Sequence, residues 1–78
     1  MTLEIITPDQ TLYTGKVSMV QMPGVEGLFA VLQNHAPLIA SLKKGKVKLR
    51  DEKDQLQYIE INGGIVEVLN NRVLILSE

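Results

Sequence analysis

Seventy-eight residues, 45% hydrophobic and 22% charged, with eight basic against nine acidic side chains, read as one globular domain near electrical neutrality. The lack of cysteine excludes a disulfide framework and a thiolate metal centre, and a single histidine leaves any metal site to carboxylates that show no clustered spacing. Near-zero net charge argues against a generic nucleic-acid binder, and a chain this short buries only about 60% of its unfolded surface, so a partner is a natural source of added stability.

In chain order, short alternating runs broken by turn residues give the strand signal. "LEIIT" (Leu3–Thr7) is followed by the turn-prone "PDQ", and "TLYTG" ends at Gly15. "KVSMVQM" sets Val17 and Met19 on one face and Ser18, Val20 and Met22 on the other. "PGVEG" is a turn-rich break, after which the wholly apolar "LFAVL" predicts a strand covered on both faces. In "KVKLR", Val47 and Leu49 alternate with Lys46, Lys48 and Arg50, and "DEKD" (Asp51–Asp54) is a polar turn. "LQYIEI" changes apolar phase between Tyr58 and Ile59, which predicts a bulge or a strand with two apolar faces. "NGG" breaks the chain again, and Asn70–Asn71 predicts a hairpin turn between "IVEVL" and "RVLILS".

No long amphipathic helix is present; "APLIASLKKG" comes closest, and Pro37 and Gly45 confine it. The turn spacing predicts an all-β, flattened sandwich or barrel of about eight to ten short strands in one domain, residues 1–78. Met1–Leu12 has no charged-then-apolar leader, and no apolar run reaches the roughly 18 residues of a membrane span. The expectation is a soluble chain whose membrane contact, if any, runs through another protein.

The candidate sites are few. His35 is the only histidine; a catalytic role requires a nucleophile or an orienting carboxylate, and Ser18, Ser41 and Ser77 stand in no nucleophile-elbow context. The alternatives are a loop-fixing hydrogen bond or a contact surface. Pro37 pushes Ala36 toward an extended backbone, so His35 is presented at a bend. The run Lys43–Arg50 holds five of the eight basic residues but no interleaved aromatic ring, so a solvated strand face, with a lysine-protected edge as one form of it, is favoured over a single-strand nucleic-acid groove. Neither "PGVEG" nor "NGG" matches a phosphate loop. "VQMPGVEG" has the flavour of a lipoyl-type carrier domain, in which Lys53 would be the modified hairpin lysine; its Glu52 and Asp54 neighbours fit that pattern poorly.

Taken in order, "VQMPGVEGLFAVLQNHAPLIASLKKGKVKL" and "INGGIVEVLNNRVLILSE" resemble the N-terminal β-sandwich domain of the epsilon subunit of F-type ATP synthases. The resemblance is carried by Glu26-Gly27, Leu28–Leu32, His35–Leu38, Gly45–Val47 and Gly63–Val68, with "TPDQTLYTGKV" matching the opening strand and turn. It covers essentially the whole chain. Two departures stand out: Ala30 where the family usually has Gly, and Gln33 where it usually has Pro. The family usually continues into two C-terminal helices that can inhibit hydrolysis or bind ATP; this sequence stops at Glu78, so neither property is carried over.

The resemblance implies a noncatalytic rotor part of the central stalk, without cofactor or metal, that links the gamma subunit to the polar loops of the c-ring. It implies that Glu26, Gly27 and Leu28 face the c-ring while His35 and Pro37 face gamma. It further implies a peripheral location on the cytoplasmic face of the bacterial cell membrane, with no nucleic-acid partner.

Overall fold

The computed structural model describes all 78 residues as six strands and no helix: β1 (Thr2–Ile6), β2 (Thr11–Gly24), β3 (Gly27–Leu32), β4 (Leu38–Asp51), β5 (Leu56–Leu69) and β6 (Arg72–Ser77). Their order is β1-β6-β5-β4-β2-β3, and an additional β1–β2 pairing closes five of them into a flattened barrel with β3 outside, on β2. Only β1–β6 is parallel; the other pairings are antiparallel.

The all-β architecture agrees with the sequence reading, but the strands number six rather than eight to ten. Three of them, β2, β4 and β5, are 14 residues long and run through both layers. In β4 and β5 the predicted breaks are bends. In β4, Leu42 points into the core from the first layer, whereas Val47 and Leu49 do so in the second, so the inward parity changes across Lys43–Gly45. In β5 the matching change falls between Ile61 and Val66, at Gly63 (φ 110°) and Gly64 (φ 145°). These lie opposite the β4 bend, because Lys44 pairs with Asn62 and Leu42 with Gly64. Glycine there lets a strand turn a corner and re-aim its side chains without leaving the ladder.

Fifteen buried hydrophobic residues form the core, among them Leu3, Ile5, Val20, Met22, Val31, Leu49, Val66 and Ile75, each fully buried. Every long strand contributes to it, so no layer is stable without the other.

Three further expectations are settled here. "LFAVL" is not covered on both faces: β3 pairs only with β2, Val31 enters the core, and Leu28 and Leu32 stand 67% and 59% exposed. The phase change at Tyr58–Ile59 is a two-faced strand rather than a bulge, since β4–β5 pairing is unshifted from Arg50↔Leu56 to Leu38↔Val68. Ile61 lies in the core and Tyr58 faces outward, 58% exposed. The Asn70–Asn71 turn forms as expected, both residues having positive φ (52° and 60°), the twist that two-residue hairpins require.

Candidate functional site

The β2–β3 turn is a two-residue connection, Val25-Glu26, between Gly24 and Gly27, which pair across it. Gly27 has φ 132° and open space where a Cβ would stand, so glycine answers to backbone conformation there rather than to crowding. Val25 N–H donates to Ser41 O at 3.0 Å, which ties the turn to β4. Glu26 is exposed at the tip, and Leu28 projects beside it. The only ion pair in the molecule is Arg50–Asp54, at 3.2 Å, so Glu26 offers an uncompensated carboxylate next to exposed apolar surface.

His35 and Pro37 lie at the other end of β3, in the connection to β4, and both are exposed. The His35 Nδ1–H donates to Ala36 O at 2.6 Å, a local bond that orients the ring. The loop is held from outside as well. Asn34 (φ 60°) N–H donates to Asn71 Oδ1 at 2.8 Å, and Asn71 Nδ2 donates to Gln33 Oε1 at 3.4 Å. Gln33 Oε1 also accepts from the Met1 amino group at 2.6 Å. Gln33, at the position where the family pattern usually has Pro, thus connects the loop to β1 and to the β5–β6 turn. The sequence reading missed Asn71 in this second role, because its partner stands 37 residues away.

The two residue sets therefore stand at opposite ends of β3. Ile39 bridges them. It lines one depression with Gly24, Glu26, Gly27 and Phe29, and another with Pro37, Glu67 and Leu69.

Elsewhere the polar chemistry serves structure. Asp51 Oδ1 accepts N–H bonds from Lys53 at 2.9 Å and Gln55 at 3.0 Å, and Oδ2 accepts from Gln57 at 3.0 Å. The Gln55 backbone bond, more than any other contact, holds the Asp51 carboxyl below its ordinary pKa. Burial pushes the Tyr13 phenol up, and the nearby charges of Asp51 and Glu52 add to it. Lys53 sits in this turn with its N–H engaged by Asp51. The hydroxyl of Ser18 donates to Arg50 O at 3.5 Å, and that of Ser77 to Glu78 O at 3.3 Å.

Comparison with known proteins identifies the family. The family described as ATP synthase, Delta/Epsilon chain, beta-sandwich domain matches residues 1–78. The ATP synthase epsilon chain of Chlorobaculum tepidum is 43% identical over 77 residues, covering 99% of this chain and 88% of that one. That of Leptospira borgpetersenii is 40% identical over 78 residues, but here the chain spans only 61% of its relative. The fold recurs in a chain of the Euglena gracilis mitochondrial ATP synthase, with a TM-score of 0.86 at 22% identity over 96% of this chain and 48% of that one. It recurs again in the central stalk/c-ring structure of the Tetrahymena thermophila enzyme, with a TM-score of 0.80 at 20% identity over 99% and 62%. The lipoyl-type alternative on Lys53 finds no support among these relatives. A match along its entire length places this chain in the delta/epsilon chain family of ATP synthases, as a β-sandwich domain of the epsilon type.

Proposed function

We propose that this chain is a noncatalytic central-stalk subunit of an F-type ATP synthase, its residues 1–78 serving as the epsilon-type sandwich domain that joins the gamma subunit to the c-ring. The observation that carries the reading is the family match over residues 1–78. Rotation driven by ion flow through the ring passes through the domain to the stalk, and ATP is made on other subunits. A closed barrel suits such a coupling, because a close-packed interior has low compressibility and transmits strain.

In this reading the β2–β3 turn meets the polar loops of the ring. Glu26 pairs there with a basic group, and Leu28 and Val25 supply apolar contact, since both are exposed. A rim charge pair contributes only about 0.2–1 kcal/mol, so packed apolar area supplies most of the affinity. His35 and Pro37 meet gamma, and the Asn71 clamp holds their loop in the docking shape. The domain is peripheral, held at the cytoplasmic face of the bacterial membrane by the assembly.

The test is co-purification of the chain with a tagged gamma subunit from the same organism, alone and together with the c-ring. A stoichiometric complex with gamma is expected, weakened by changes at His35 or Pro37. Ring association should be lost in Leu28→Glu while gamma binding persists. A folded chain that elutes free of gamma would sink the reading.

A further inference from the structure

In β5, Val66 and Val68 enter the core, so Ile65, Glu67 and Leu69 face outward. Across the ladder Glu67 pairs with Ile39 of β4 and Leu74 of β6, and Ile65 with Ser41 and Leu76. The result is an exposed face on which Ile39, Ile65, Leu69 and Leu76 surround Glu67, with Glu4 of β1 beyond Leu74 at its margin; Ile39 is 67% exposed. The outward side of a barrel strand is ordinarily polar, and a contiguous apolar face of this kind marks a binding surface.

We propose that this face receives an apolar segment of the stalk partner, and that Glu67 is its specificity-determining residue, seating one lysine or arginine of that segment. The inference rests on the function proposed above and names the recognition chemistry of its gamma-facing side. Covering Glu67 with purely apolar atoms strips a carboxylate of water without compensation, so a segment lacking a cation is rejected. Arg72, opposite Leu69 on the same face, lines a depression with Glu67 but forms no ion pair with it, the one ion pair in the molecule being Arg50–Asp54. Pro37 lines the same depression as Ile39, Glu67 and Leu69, so the face continues into the loop assigned to gamma. A second copy of this chain is a poor occupant, because a two-fold contact centred here brings two Glu67 carboxylates together. Anionic lipid and nucleic acid are repelled for the same reason.

The experiment measures the affinity of the gamma subunit for wild type, Glu67→Gln, Glu67→Lys and the control Glu60→Gln, an exposed carboxylate on the far side of the Gly63–Gly64 bend of β5, at low and high salt. Glu67→Gln should weaken binding roughly ten- to hundredfold and flatten its salt dependence, as expected for loss of a charge-assisted bond. Glu67→Lys should bind weakest and be rescued by reversing one gamma lysine or arginine to glutamate. Glu60→Gln should bind as wild type. If wild type binds gamma while both Glu67 variants bind equally well, this inference fails and the stalk reading stands; Glu67 then only keeps an apolar face soluble. If wild type itself does not bind, both fail together. A dimer of the free chain dispersed by Ile39→Ser would also overturn the choice of partner.

Discussion

Replacing Gly64 by alanine tests the bent-strand architecture most directly. A Cβ at Gly64 would stand 2.0 Å from Leu76 O, and the residue's φ of 145° is one that side chains rarely adopt. The obstacle is the backbone of β6, paired to β5 on that side, so it cannot swing away as a flexible side-chain tip would. Backbone strain of this kind costs about 1–3 kcal/mol, and the clash adds to it, giving about 3 kcal/mol or more. A domain of this length has only about 4–12 kcal/mol in total. With a urea slope near 1 kcal/mol/M for a small protein, the unfolding midpoint should fall by about 3 M or more. Gly27→Ala is the matched control, because its φ is 132° but nothing lies within 4 Å of the added carbon. It should lose only the conformational part, about 1–3 kcal/mol. Urea denaturation followed by circular dichroism compares the two. If Gly64→Ala is no more destabilising than Gly27→Ala, close backbone approach is not what the β5 bend requires, and the account of the corner is wrong.

Three shorter predictions follow from the same geometry. Asn71→Gly keeps the positive φ of the hairpin but removes the acceptor for Asn34 N–H; it should lose about 1 kcal/mol of stability and loosen the His35 loop, visible as faster amide exchange at Asn34, and unchanged exchange there would refute the clamp. Asp51 has a folded pKa below its unfolded value, so its contribution is fully present above the unfolded pKa near 4 and is lost as pH falls through the folded one. Melting temperatures measured from pH 6 downward should therefore decline more steeply in wild type than in Asp51→Asn, and parallel curves would contradict the assignment. Leu49→Ala, at a fully buried position of β4, should cost about 2–5 kcal/mol in the same urea assay, whereas Leu28→Ala at the exposed β3 edge should change stability by less than about 0.5 kcal/mol.

The sequence by itself determined the class of fold, the Asn70–Asn71 hairpin and the family. Alternation in "KVKLR", the paired asparagines and the order of the glycine-bearing motifs are local signals, each readable within a few residues. Whether a glycine ends a strand or bends it is not local. "NGG" continues as β5 because β4 lies opposite with its own bend across Lys43–Gly45, and only the closed barrel brings the two together. The same holds for faces. "LFAVL" offers apolar side chains on both sides, and the topology leaves one of them bare because β3 lies outside the closed ring. Of the candidate site, Glu26, Leu28, His35 and Pro37 were named from the motif order. The clamp from Asn71 to Asn34 and the apolar field around Glu67 were not, since they join residues far apart in the chain. Sequence pattern sets what each strand can present; the register of its neighbours decides which of those surfaces is covered and which is left for a partner.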